Sequence, residues 1–166
     1  GVFAAADIFL FYVFFEVMLV PMYFLIGSYG GQQRQYAAVK FFLYSLAGGL
    51  FMLASVIGLW VLGGHTFDWE KLVTADFSTG AERWLFLGFF IAFAIKAPLW
   101  PLHTWLPDAA ASATPGTSVL MVSVIDKVGT FGMIRWCLEL FPGASEWASP
   151  VVLVLAAISI IYGALL

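Results

Sequence analysis

Trp84-Leu-Phe-Leu-Gly-Phe-Phe-Ile-Ala-Phe-Ala-Ile95-Lys96-Ala97-Pro98-Leu99-Trp100-Pro101 is the stretch whose reading decides the fold. An unbroken apolar run ends on a lysine, and two prolines follow at once. A lysine at membrane depth costs about 2.5 to 3.5 kcal/mol on insertion scales, so by default it marks a functional site. Proline has no N–H to donate and stops a helix, and the backbone groups it frees are tolerated at that depth only inside protein or beside a water-filled cavity. Lys96, the break at Pro98 and Pro101, and nearby His103 therefore point to one hydrated cavity. Lys96 lies twelve residues past Trp84, roughly 18 Å down a helix and past the midplane. The competing reading is that Lys96 snorkels along its stem to the interface.

Composition outside this stretch agrees with a membrane solvent. The 166 residues are 63% hydrophobic and 10% charged, where a soluble domain carries roughly 25% charged residues to cover its surface. The net charge of −3 holds no basic tract, so no nucleic-acid partner is expected. Cys137 is the only cysteine, which excludes an internal disulfide, iron–sulfur cluster or zinc site; it reads as a small apolar residue of a membrane helix. His65 and His103 are the only histidines, and His65 falls in a polar loop, so no haem and no redox chemistry are expected within this chain. The chain opens at Gly1 without Met and closes inside an apolar run. Both ends are expected to be cuts through a larger membrane protein.

Crossing about 30 Å of hydrocarbon takes about 20 mostly apolar residues, and five segments qualify. They run approximately over 7–27, 36–62, 82–107 (broken near 98–101), 115–141 and 150–166, in a single all-α polytopic membrane region. The second carries Lys40 near its start and the pair Gly48-Gly49, which lets another helix approach closely. Between the second and third, 63–80 alternates Phe67, Trp69, Leu72 and Val73 with Asp68, Glu70 and Lys71, as in a short amphipathic helix on the interface. Trp60, Trp69, Trp84, Trp105 and Trp147 fall near predicted ends, as an interfacial aromatic belt requires. Lysine and arginine are shared almost evenly between the two sides, so charge bias leaves the orientation open.

Two more ionisable residues lie at depth. Glu16, in Tyr12-Val-Phe-Phe-Glu16-Val-Met-Leu-Val-Pro21, is either a protonated carboxyl bonded to a neighbouring helix or the ionised partner of a lysine. The second reading is favoured because a buried lysine needs a partner and few candidates exist. Lys127, in Val124-Ile-Asp126-Lys127-Val-Gly129, has Asp126 as its chain neighbour, but adjacent helical residues diverge by about 100° and need not pair. It is either half of a structural ion pair with another helix or a proton carrier. His103 is either a proton relay, histidine being the side-chain type that ordinarily changes charge near neutrality, or a static hydrogen-bonded ring. Burial favours a neutral amine and a nearby carboxylate favours an ammonium, so a lysine whose anion moves is a switchable proton carrier.

These residues also carry a resemblance. Asp7-Ile-Phe-Leu-Phe-Tyr-Val-Phe-Phe-Glu16-Val-Met-Leu-Val-Pro-Met-Tyr-Phe-Leu-Ile-Gly27, Tyr36-Ala-Ala-Val-Lys-Phe-Phe-Leu-Tyr44, Lys96-Ala-Pro-Leu-Trp-Pro-Leu-His-Thr-Trp-Leu-Pro-Asp108 and Lys127-Val-Gly-Thr-Phe-Gly132 resemble the antiporter-like M subunits of bacterial NADH–quinone oxidoreductase, respiratory complex I. The lysine–proline block alone fits the wider family, including L and N subunits and multisubunit cation/proton antiporters; the context of Glu16 narrows it. The resemblance implies an antiporter-like fold, a five-helix repeat with one discontinuous helix, of which this chain is a fragment. It implies proton translocation coupled to quinone reduction, with Glu16 and Lys96 as the charge pair of a channel and Lys127 continuing the path. It also implies L-type, N-type and small membrane subunits as partners, a bacterial plasma (inner) membrane location, and flavin, iron–sulfur clusters and quinone in partner subunits, with no cofactor here. The alternative it leaves is a subunit of a multisubunit cation/proton antiporter. The chain departs from the family at Ala110, where many members have histidine, and at Asp126, where many have an apolar residue.

Overall fold

The computed structural model describes residues 1–165, and apart from a single antiparallel bridge between Asp7 and Asp68 their regular structure is helical. Among the described residues, four stretches are long and apolar enough to cross a membrane: Ile8–Tyr29, Arg34–Leu62, Pro115–Leu138 and Pro142–Leu165. The first consists of α1 (Ile8–Val17) and α2 (Leu19–Tyr29), begun by Asp7, whose carboxylate accepts the Leu10 N–H at 2.8 Å. The second is the single helix α3 (Arg34–Leu62).

Helix α3 is central to the packing. Its buried face, Ala37, Ala38, Phe41, Ser45, Gly48, Gly49, Met52, Ser55, Val56 and Leu59, repeats at helical spacing. The small residues on this face let two neighbours approach at once. A Cβ on Gly48 would lie 3.0 Å from Ile95 Cδ1, and one on Gly49 would meet the Glu16 carboxylate. Phe11, Phe15, Phe89, Phe93 and Trp136 fill the space beside α3, with Phe93 edge-on to both Phe11 and Phe15 at 5.9 Å between centroids.

The segment at 63–80 contains a short helix, α4 (Trp69–Val73), with Asp68 capping the Glu70 N–H. Backbone bonds from Ile8 N–H to Phe67 O (2.9 Å) and from Trp69 N–H to Ala6 O (3.1 Å) tie it to the start of the chain. Leu72 is fully buried in the helical core, so the apolar side of α4 is turned onto the protein.

The stretch around Lys96 is α5 (Thr79–Lys96), an irregular segment from 97 to 104, and α6 (Trp105–Ser112). Next come α7 (Pro115–Leu120), α8 (Asp126–Gly132) and two π-helical stretches, Met121–Ile125 and Met133–Leu138. The last helix, α9 (Pro142–Leu165), begins eight residues before the expected start and carries Pro150 inside it. Glu82 explains the early start: its carboxylate accepts the Ala144 N–H at 3.0 Å, satisfying a first-turn amide that would otherwise be orphaned.

Candidate functional site

The prolines dictate the local chemistry of the break. In a continuous helix the Ala94 carbonyl would accept from residue 98, but Pro98 has no N–H. The Leu99 N–H takes that carbonyl instead, at 2.9 Å. This strands the Ile95 carbonyl, which accepts the indole N–H of Trp105 at 2.7 Å. The Trp100 N–H, freed from Lys96, donates to Ser159 Oγ at 2.8 Å. Side chains from α6 and α9 thus satisfy backbone groups that the break releases, as membrane depth demands. Trp105 is fully buried, which corrects its assignment to an aromatic belt: its polar atom serves the break.

Lys96 is the last residue of α5 and is 1% exposed, so it does not snorkel. Its ammonium donates to Ser45 Oγ at 3.0 Å and faces the rings of Phe15 and Phe41, 5.2 and 5.1 Å from their centroids. Three N–H donors thus meet one hydroxyl and two electron-rich faces. Among the described residues no carboxylate comes within 4.0 Å of it. Glu16, half-buried on α1, places its carboxylate against Gly49 of α3 instead. The direct Glu16–Lys96 ion pair expected from the sequence is therefore not formed in this structure. One turn of α3 intervenes, with Ser45 holding the ammonium and Gly49, four residues on, lying against the carboxylate.

His103 does not share a cavity with Lys96. It lines a cavity of about 260 Å³ with Pro98, Trp100, Leu106, Ser159 and Tyr162, and packs edge-on against Tyr162 at 5.0 Å. Its Nδ1 is buried and has no hydrogen-bond partner among the described residues. The single hydrated cavity expected from sequence is corrected to two environments: Lys96 faces α1 and α3, whereas His103 faces α9. The irregular backbone after Lys96 loses helical periodicity, so nearness in sequence does not carry the two side chains to one face.

Lys127 lies on α8, between the π-helical stretches, with its side chain 62% exposed and 3.2 Å from Asp126 Oδ2. The neighbours pair after all, and Lys127 is not brought together with Lys96. Gly129 meets the break instead: a Cβ there would sit 2.6 Å from Ala97 N and 2.7 Å from Phe93 O.

Sequence reasoning missed three polar contacts between α3 and the broken segment. Ser45 to Lys96 is one. Tyr44 Oη and Thr104 Oγ1 are 2.7 Å apart, and Lys40 donates to Asp108 at 2.6 Å as an ion pair. Lys40 posed the same anomaly as Lys96, a lysine within an apolar span, but its nearness to the polar turn made it read as a flank. Among the described residues no three of His, Cys, Asp and Glu converge as metal ligands.

The family described as NADH:quinone oxidoreductase/Mrp antiporter, TM, matches residues 5–166. NADH-quinone oxidoreductase subunit M of Mycobacterium tuberculosis H37Rv is 58% identical over 172 residues, covering 97% of this chain and 31% of the relative. The Escherichia coli K12 subunit M is 46% identical over 174 residues, covering 99% and 34%. A chain of respiratory complex I from Thermus thermophilus with bound NADH superposes with a TM-score of 0.93 at 43% identity, covering 99% of this chain and 35% of that one. The chain spans about a third of the length of the curated relatives it matches.

Proposed function

This chain belongs to the NADH:quinone oxidoreductase/Mrp antiporter transmembrane family, and from that premise we propose that it is part of an M-type, antiporter-like subunit that translocates protons across the bacterial plasma membrane while quinone is reduced elsewhere in respiratory complex I. The observation that carries the proposal is the buried Lys96 ammonium, held by a serine and two phenyl rings at a broken helix, with the Glu16 carboxyl one α3 turn away.

Glu16 and Lys96 act through the turn between them. A nearby carboxylate favours an ammonium and desolvation favours an amine, so moving Glu16 charge toward or away from the Ser45–Gly49 turn loads or unloads a proton on Lys96. Ser45 supports both states, because a hydroxyl accepts from the ammonium and donates to the amine. Pro98 and Pro101 let the segment after Lys96 reorient without breaking a continuous helical ladder. Lys127 is the next carrier and His103 a second relay in its own cavity beside α9. The chain carries no redox group of its own in this reading. Flavin, iron–sulfur clusters and quinone belong to partner subunits, and L-type, N-type and small subunits flank it in the membrane.

The test is Lys96→Met in the full-length subunit of an assembled complex reconstituted into vesicles. Proton uptake driven by NADH oxidation is expected to be lost while the complex still assembles; full pumping with normal assembly overturns the proposal. Sodium-gradient-driven proton flux from a preparation without flavin and iron–sulfur subunits would favour the cation/proton antiporter reading instead.

A further inference from the structure

The starts of α5 and α9 lie together on the membrane face that carries the 63–80 segment, joined by the bond from the Ala144 N–H to Glu82. Arg83 is four residues past the start of α5 and Trp147 five past the start of α9. At 1.5 Å per residue both fall roughly 6 to 8 Å along their helices, the level of an aromatic belt. The Arg83 guanidinium stacks on the Trp147 ring, 4.7 Å from its centroid. Stacking uses the flat face of the group and leaves its N–H edge free. Among the described residues no carboxylate lies within 4.0 Å of Arg83, because its neighbour Glu82 serves the start of α9. Arg135 is the contrast: it also stacks on a tryptophan, Trp69 at 3.8 Å, but it is already paired with Glu139 at 3.5 Å.

Below Arg83 lies an apolar cleft of about 220 Å³. Phe86 and Phe90 of α5 line it, three and seven residues beyond Arg83 and so on the same helix face. Met133 and Cys137 of the second π-helical stretch form its floor, and Val152 and Leu153 of α9 its far wall. The π-helical stretch widens this helix, a departure found mostly at functional sites. The carbonyl of Cys137 accepts from Ser145 Oγ at 2.8 Å and from the Phe141 N–H at 3.2 Å, which leaves the cleft walls almost wholly apolar. Leu138, Ser149 and Leu153 at its edge are exposed, so the cleft opens sideways to the membrane. Its volume is below the roughly 300–1,000 Å³ of pockets for drug-sized ligands, and a helix is about 10 Å across. A single hydrocarbon chain matches it better than either.

We propose that the α5–α9 cleft is a binding site for an anionic phospholipid, with the headgroup phosphate on Arg83 and one acyl chain against Phe86, Phe90 and Met133. The unmatched arginine edge is suited to bidentate contact with phosphate oxygens, and the apolar cleft directly below it takes the chain attached to that phosphate. Charge and shape thus agree on one amphipathic molecule. Trp147 holds the guanidinium over the mouth of the cleft. The site shares none of its residues with Lys96, Glu16 or His103, so it stands whether or not these carry protons.

The experiment uses the assembled complex in detergent and phosphatidylglycerol bearing a photoactivatable group on one acyl chain, with phosphatidylcholine of the same chains as the neutral control. Labelled peptides are mapped by mass spectrometry. Label from phosphatidylglycerol is expected on the peptides holding Met133–Cys137 and Val152–Leu153, several-fold above that from phosphatidylcholine. Arg83→Gln is expected to lower it about tenfold, as loss of one charge-assisted phosphate contact implies, and Arg83→Lys, which keeps the charge without the fork, to lower it less. Ser149→Phe places a ring at the exposed edge of the cleft and is expected to lower labelling from both lipids. Equal labelling by the two lipids, or labelling unchanged in Arg83→Gln, overturns the site. Absence of label from these peptides also overturns it and means that another protein segment covers the cleft. Should Arg83→Gln fail to assemble, the preference between the two lipids in the parent complex and the effect of Ser149→Phe decide: no preference, or no effect, overturns the site.

Discussion

At the scale of the residue, Ser45 is, among the described residues, the one hydrogen-bond partner of the buried Lys96 ammonium. Ser45→Ala leaves that charge with ring faces alone. Loss of a hydrogen bond to a charged group costs about 1.5–3 kcal/mol, so the assembled complex is expected to unfold at lower temperature. Lys96→Met added to Ser45→Ala should recover most of the loss, since the hydroxyl then serves no charge; strictly additive effects would show that the two residues are not coupled. Gly49 supplies a second test. Gly49→Ala drives a methyl into the Glu16 carboxylate, whereas Gly80→Ala meets nothing within 4 Å. The first is expected to reduce pumping and the second to leave it unchanged, and equal behaviour would detach Glu16 from its place against α3. Lys96 and Glu16 were both legible in the sequence as costly charges at depth. Ser45 was not, because a serine in an apolar helix carries no cost until something is seen to need it.

At the scale of the element, the break after Lys96 is a hydrogen-bond rearrangement with identifiable donors. Trp105→Phe keeps an aromatic ring under α3 and removes the donor to the Ile95 carbonyl. An unsatisfied buried carbonyl costs about 1–3 kcal/mol, so thermal unfolding is expected to shift downward. An unchanged midpoint would mean that the carbonyl finds water. The position of the break could be read from Pro98 and Pro101, since a missing N–H is a property of the residue itself. That Trp105 and Ser159 would close it could not, as both partners lie beyond the break. The start of α9 makes the same point. Pro150 looked like its beginning, but Glu82, on another helix, supports the earlier turn. The amphipathic pattern at 63–80 was visible, yet only the bonds to Ala6 and Phe67 turn Leu72 inward.

At the scale of the whole molecule, the fold gathers Glu16, Lys96 and the Lys40–Asp108 pair around α3 but leaves Lys127 facing outward. Lys127→Met is therefore expected to leave the thermal stability of the assembled complex within about 0.5 kcal/mol, as for substitutions that break no buried contact, while lowering proton pumping. A large loss of stability would instead make Lys127 part of an ion pair that holds the assembly together. Composition and periodicity determined that this is an all-helical membrane protein, and charge at depth determined that Glu16, Lys96 and Lys127 needed explanation. Both follow from the cost of moving polar groups into hydrocarbon, which each segment carries wherever it packs. Tertiary structure alone decided which charges meet. A turn of α3 stands between Glu16 and Lys96, and the break separates Lys96 from His103. Lys40 finds Asp108 sixty-eight residues away. Contacts of this kind depend on how helices cross and which faces carry small residues, and only packing fixes that.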